Sequence, residues 1–143
     1  MESFWNKNYV SSFSSDICSF LESKFSDVAF YPEKMERHFS AVNVFQKPER
    51  ESLIFLNGSV EESYFFEFLV PFGGEDRKAT DGAIWLLDRC LELCEEADGF
   101  SLSNENVTFK YFCRTKNPAK EDRTPTGNDW FSAEIKMRVL REA

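Results

Sequence analysis

The stretch WFSAEIKMRVL, at residues 130–140, alternates apolar and polar side chains. Every second position is apolar, and these positions are Phe131, Ala133, Ile135, Met137 and Val139. A period of two is typical of an amphipathic β-strand that turns one face toward a core. The sequence therefore predicts a strand near the end of the chain and argues against a helix there.

A second alternating stretch precedes it at residues 107–114, where Val107, Phe109, Tyr111 and Cys113 share one face. The two stretches predict a terminal β-hairpin. Residues 116–129 between them are polar and contain two prolines and a glycine. This segment is longer than an ordinary hairpin connection. They predict a long polar hairpin loop at 116–129, either a plain surface excursion or an arm that orders against a partner.

The middle of the chain supplies further strand signals. A short β-type run at 28–31 is followed by predicted strands at 39–45, 53–56 and 64–70. The dipeptide Asn57-Gly58 is typical of a tight hairpin turn. Residues 64–70 are apolar on both faces except for Glu67, which favours a central strand.

Two segments show helical spacing. Apolar residues recur every three or four positions between 10 and 25, and again between 80 and 97. We expect Thr80 or Asp81 to cap the second helix and Asp98-Gly99 to end it.

Together these elements predict an α+β fold, with a single antiparallel or mixed β-sheet and two helices packed on it, in one domain that spans residues 1–143. The long helix needs the sheet to bury its apolar stripe. The expected core residues are Phe66, Phe68, Leu87, Cys90, Phe109 and Ile135.

The charge balance excludes one class of partner. The chain of 143 residues has 17 Lys and Arg against 25 Asp and Glu, a formal net charge of −8. Such a chain repels phosphates, so we expect no direct or sequence-specific binding of nucleic acid. No stretch resembles a signal peptide or a membrane span, so we expect no membrane contact and a protein that stays where it is made.

The residue types for catalysis or metal binding do not converge in the sequence. Cys90 and Cys94 lie one helical turn apart, but zinc usually takes four ligands and the only histidine is His38. We interpret all four cysteines as reduced, buried thiols. Acidic pairs such as Glu61 and Glu62 lie in polar stretches that favour solvated side chains. We therefore expect no metal, no cofactor and no enzymatic activity.

The pattern as a whole resembles the tail-terminator, or minor capsid, proteins of long-tailed bacteriophages. The resemblance covers the helix at 10–25, the strands at 53–56 and 64–70, and the helix at 80–97. Above all it covers the ending, where the strand at 107–114 leads through the proline-containing loop to residues 130–142. It is architectural, because that family has no catalytic or ligand signature to transfer.

What the resemblance implies is a structural virion protein assembled in the bacterial host cytoplasm. Its partners would be further copies in a homo-oligomeric ring, commonly a hexamer, together with the tail-tube protein and the head completion protein. The ring would cap the tail tube and join it to the head, and the terminal hairpin would take part in assembly.

Five residues of this hairpin are the candidate interface: Lys120, Glu121, Asp122, Arg123 and Trp130. The four charged side chains offer pairing between subunits, although exposed pairs contribute only about 0–1 kcal/mol each. Trp130 falls on the polar face of its strand, so we expect its ring to remain available as an anchor for a partner.

Two other classes of function stay open. Effector chaperones of type III secretion are also acidic α+β proteins of this length, but they usually end in a helix, whereas residues 131–139 predict a strand. An enzyme is the third alternative, because many catalytic sites leave no mark on a single sequence.

Overall fold

The computed structural model describes residues 8–34, 41–72, 77–98, 100–122 and 129–142. Helix α1 spans Asn8–Glu22 and helix α2 spans Arg77–Glu95. The strands are β1 (Ala29–Pro32), β2 (Ala41–Ile54), β3 (Val60–Phe72), β4 (Thr108–Asp122) and β5 (Asp129–Arg141).

The five strands form one mixed sheet in the order β1-β2-β3-β5-β4. Strand β1 is parallel to β2, and the other neighbours are antiparallel. Two helices and one mixed sheet confirm the predicted α+β fold class. Strand β3 is the third of the five, so the expectation that the apolar run at 64–70 is a central strand is also confirmed.

Both helices cover the same face of the sheet, which we call the helix face. Helix α1 packs against β1 and β2, and α2 packs against β3, β4 and β5. Phe13 of α1 contacts Tyr64 of β3, with ring centroids 4.9 Å apart. The alternation in β5 is confirmed, because each of its predicted apolar positions from Phe131 to Val139 is buried in this core.

The predicted core is buried with one exception. Phe66, Phe68, Leu87, Cys90 and Ile135 have no solvent exposure, and Phe109 is half-buried at the margin of the cluster. The marginal position of Phe109 still has aromatic neighbours, since its ring lies 5.0 Å from that of Phe112.

Strand β2 is longer than its sequence pattern indicated. The predicted strands at 39–45 and 53–56 belong to one element, which begins at 41 among the described residues and continues to Ile54. Its register with β3 shifts between Gln46 and Arg50, which marks a bulge. A bulge interrupts the alternation of side chains, but the strand continues through it. The sequence pattern therefore indicates two strands where the structure has one.

Strand β4 corrects two predictions. It continues to Asp122, so residues 116–122 are strand and the expectation of a loop from 116 is wrong; residues 123–128 lie outside the described part of the chain. Its register with β5 shifts between Phe109 and Tyr111. The bulge brings Phe112 into the core and leaves Tyr111 and Cys113 exposed, so the predicted face of 107–113 is wrong beyond Phe109.

The limits of the helices differ slightly from the predicted ones. Helix α2 begins at Arg77, so Thr80 and Asp81 lie inside it and neither caps it. The apolar stripe of the helix is otherwise as predicted, since Leu87, Cys90, Leu91 and Cys94 are fully buried. Gly99 and His38 lie outside the described residues.

Candidate interaction surfaces

The hairpin between β2 and β3 ends in a well-ordered turn. Gly58 adopts a φ of 89°, and its amide donates a hydrogen bond to the carbonyl of Phe55 at 3.0 Å. The Phe55 amide donates to the carbonyl of Ser59 at 2.9 Å, while the Ser59 amide donates to the Asn57 side chain at 3.0 Å. The predicted role of Asn57-Gly58 in a hairpin turn is therefore confirmed.

Four consecutive apolar side chains at the end of this hairpin face solvent. Leu53 is 49% exposed, Ile54 74%, Phe55 40% and Leu56 109%. We call these four residues the apolar tip. Isolated exposed leucines are ordinary on protein surfaces, whereas a contiguous apolar patch on a chain of this size marks a site of contact with another molecule.

The apolar run at 53–56 predicts a strand and not a contact surface, but β2 ends at Ile54, so Phe55 and Leu56 belong to the turn. The signal was nevertheless present, because the run has no polar position and directly precedes the Asn57-Gly58 turn. The loop between Phe55 and Ser59 consists of Leu56, Asn57 and Gly58, and consecutive residues beside it point to both faces of the hairpin. Among the described residues, none buries this run.

The sheet face opposite the helices, which we call the open face, is crossed by ion pairs. Lys47 Nζ of β2 lies 2.6 Å from Glu134 Oε1 of β5, and this hydrogen bond raises the pKa of Lys47. Arg138 Nε of β5 lies 3.3 Å from Glu61 Oε1 of β3. These pairs link neighbouring and next-neighbouring strands, so their charges are compensated within the sheet.

A groove with a volume of about 380 Å³ lies on the open face. It forms beside the bulge of β2, where the register with β3 shifts. Phe65 supplies an aromatic surface, Thr115 comes from β4, and the Lys47–Glu134 ion pair completes the lining together with Glu49, Arg50 and Glu51. We call this feature the open-face groove. Its lining is mostly charged, with Phe65 as its one apolar side chain.

Four of the five predicted interface residues lie together at one end of the β4–β5 ladder, where Glu121 is the cross-strand partner of Trp130. Lys120 and Glu121 lie near the end of β4, where Glu121 accepts a hydrogen bond from Lys116. Asp122 is the last residue of that strand, and Arg123 lies outside the described residues. The Lys116–Glu121 pair shows that part of this charge is compensated within one chain and not between subunits.

Trp130 corrects the expectation that its ring remains available. It lies on the open face as predicted, on the same side of β5 as Ser132, but it is only 3% exposed. Strand β4 continues to Asp122, so Trp130 has cross-strand neighbours on both sides, Pro71 of β3 and Glu121 of β4.

The prediction that both Glu61 and Glu62 are solvated is wrong for Glu62. Glu62 is only 6% exposed and accepts a hydrogen bond from the Tyr64 hydroxyl at 3.0 Å. Arg141 Nε donates to Glu62 at 3.0 Å, and Arg50 lies 3.7 Å from the same carboxylate. Because a buried carboxylate needs such partners, this cluster joins three strands at the base of the apolar tip.

The thiols divide into two classes. Cys18, Cys90 and Cys94 are free and buried, as expected, whereas Cys113 is free but exposed, which corrects its predicted burial. Burial raises the pKa of Cys18 and of Cys90 to about 12, and raises that of Cys94 well above its usual range. A thiol that stays protonated is a poor nucleophile and a poor metal ligand.

Within the described residues, no group of three or more His, Cys, Asp or Glu side chains has the arrangement of a metal site. In the same part of the chain, neither helix combines the length and the apolar character needed to cross a membrane. Comparison with protein-family models and with curated proteins found no match to this chain.

Proposed function

We propose that this chain is a structural protein that works by assembling with other protein chains, and that it is not an enzyme. The observation that carries the proposal is the apolar tip, with Leu56 fully exposed and Ile54 nearly so. An apolar patch of this kind, at the end of a hydrogen-bonded turn, is typical of a surface that contacts a partner.

The energetics favour an assembly with more than one contact. Burying the exposed part of the four tip side chains releases roughly 4–8 kcal/mol, at about 1.5–3 kcal/mol for each fully buried large apolar side chain. Association itself costs about 4–15 kcal/mol in lost freedom of movement. One tip is therefore marginal as a sole contact, whereas a closed ring joins many such contacts in a single particle.

Within this class we propose the role that the sequence resemblance implies. The chain would form a homo-oligomeric ring, commonly a hexamer, that caps the phage tail tube and joins it to the head as part of the virion.

The test has two stages. Sedimentation velocity over a range of protein concentrations measures self-association, and we expect a discrete oligomer. The chain is then added to polymerising tail-tube protein of the same phage, and tube lengths are measured by electron microscopy. We expect added chain to stop elongation at substoichiometric amounts.

The control is Trp85→Ser, which removes another exposed apolar side chain, 63% exposed on α2, and should assemble normally. A chain that remains monomeric at every concentration, alone and with tail tube, would refute the structural role. An oligomer without any effect on tube growth would refute tail termination and leave the wider proposal of an assembly protein in place.

A further inference from the structure

We propose that the outer edge of β2, residues 50–54, pairs in antiparallel fashion with the same edge of a second copy, so that the two sheets become continuous across a two-fold axis. This inference rests on the self-association proposed above and names one of its contacts. A two-fold contact joins only two copies, so a ring would connect such pairs through a second, different contact. We call residues 50–54 the β2 edge.

The second half of β2 lies at the margin of the sheet. Strand β1 pairs with β2 only from Ala41 to Val44, and the Glu33 side chain accepts a hydrogen bond from the Gln46 amide just beyond that ladder. Past the bulge, residues 50–54 pair with β3 on one side, and no other strand of the described chain pairs with their opposite side. All five residues are exposed. A partner strand therefore reaches this edge without displacing any described part of the chain.

The turn of the hairpin fixes which backbone groups of the β2 edge face outward. The Phe55 amide donates to the carbonyl of Ser59 at 2.9 Å, so this is a hydrogen-bonded pair of the ladder. Hydrogen-bonded and non-hydrogen-bonded pairs alternate in an antiparallel ladder, so the other odd-numbered residues also point their backbone groups toward β3. The even-numbered residues Arg50, Ser52 and Ile54 direct theirs outward. Among the described residues, none pairs with these three amides and three carbonyls, which are the groups that an added strand binds.

The other two margins of the sheet carry features that prevent strand pairing. Strand β1 is four residues long and ends in Pro32. Strand β4 contains Pro118, and its register with β5 shifts three times. The β2 edge pairs with β3 in unbroken register, contains no proline and includes the apolar Leu53 and Ile54. Within the described chain, the β2 edge of a second copy is therefore the strand best suited to pair with it.

The spacing of the outward groups selects one register. If Ser52 lies opposite Ser52 of the second copy, Arg50 faces Ile54, and the amides and carbonyls of all three outward residues find partners. A two-fold axis at Glu51 would instead set two glutamates directly opposite each other, which is destabilising. An axis at Leu53 would place the outward groups of Arg50 opposite the turn. In the Ser52 register Glu51 lies opposite Leu53, so no like charges are directly opposed.

Disulfide trapping tests the pairing and its register. All variants carry Cys113→Ser, which removes the exposed native thiol. Ser52→Cys then places one accessible thiol beside the two-fold axis, where the Cα atoms of a hydrogen-bonded pair lie about 5.5 Å apart, within reach of a disulfide. We expect mild oxidation to link most of this variant as 52–52 dimers.

Ser101→Cys is the control, because residue 101 is also exposed but lies in the segment between α2 and β4. We expect it to remain largely unlinked under the same conditions. Equal dimer yields from 52 and 101 would overturn the edge pairing, because they indicate random collision.

A second measurement does not depend on oxidation. Ser52→Pro removes an amide that points away from β3, so the ladder within the chain keeps its hydrogen bonds, and circular dichroism checks that the fold is retained. We expect self-association in sedimentation velocity to weaken at least about tenfold, with Ser52→Ala unchanged. An unchanged oligomer in Ser52→Pro would overturn the edge pairing and leave the proposed self-association in place.

An extended segment of a different protein is the other strand that fits such an edge. In that case the wild-type chain alone stays monomeric, Ser52→Cys gives no 52–52 link, and Ser52→Pro loses any effect on tail-tube growth while Ser52→Ala keeps it. This result would overturn the second copy as the occupant of the edge. A wild-type chain that is monomeric and has no effect on tubes would overturn both this inference and the proposed function.

Discussion

Replacing Leu87 by alanine tests how α2 is seated on the sheet. Leu87 has no solvent exposure and lies on the stripe of the helix that faces the core. The substitution removes apolar volume that the fixed sheet cannot fill, and buried Leu→Ala changes cost about 2–5 kcal/mol of unfolding free energy. For a chain of this length, that corresponds to a fall of about 5–15 °C in Tm.

The assay is urea unfolding at neutral pH, followed by far-ultraviolet circular dichroism. Trp85→Ala is the matched control, because Trp85 lies on the same helix only two residues away but is 63% exposed. We expect the control to change the unfolding free energy by less than about 1 kcal/mol. If Leu87→Ala cost less than about 1 kcal/mol, or Trp85→Ala cost more, the helix would be rotated and the described core would be wrong.

Three further predictions concern polar groups. A maleimide should label Cys113 alone in the native protein and all four thiols after denaturation, as measured by intact mass. Rapid labelling of a second thiol in the native protein would contradict the burial of the other three cysteines. The Arg114 guanidinium lies 2.8 Å from Asp88 and lowers the pKa of that carboxyl. The pair therefore stabilises the fold fully above the ordinary Asp pKa of about 4, and this stabilisation is lost as the pH falls through the lowered pKa. The stability lost in Arg114→Met should therefore shrink between about pH 5 and 2 in urea titrations, and a loss independent of pH would refute the pairing. Glu62→Gln should destabilise by about 1–3 kcal/mol, because buried hydrogen bonds to charged partners are lost, whereas the half-exposed Glu92→Gln should be near neutral; equal effects would show that the Glu62 cluster is not buried.

How far the candidate surfaces could be predicted depends on whether their signals are local. The apolar tip is a run of neighbouring residues before a recognisable turn, so it was within reach of sequence reasoning. The open-face groove was not, because it joins residues of β2, β3, β4 and β5 that meet only through strand order. Trp130 shows the same limit. Its place on the polar face of its strand was predicted, but the burial of its ring, which is 3% exposed, does not follow from that pattern.

The sequence by itself determined the elements whose signals are local and repeated. The alternation in β5, the apolar stripe of α2 and the Asn57-Gly58 turn each follow from side-chain spacing or backbone preference within a few residues. From them came the α+β class and most of the core, because a strand and a helix with one apolar face must pack those faces together.

Only the tertiary structure decided where β4 ends and which way its side chains face. Pro118 and the polar residues around it indicate a loop when they are read alone. On the outer strand of the sheet, however, a proline costs no hydrogen bond on the side that faces away from β5, and bulges absorb the irregular residues. Pairing with the regular strand β5 therefore extends β4 to Asp122, and its bulge after Phe109 exposes Tyr111 and Cys113. The energy of this pairing comes from residues that are distant in sequence, so a local sequence pattern cannot predict it.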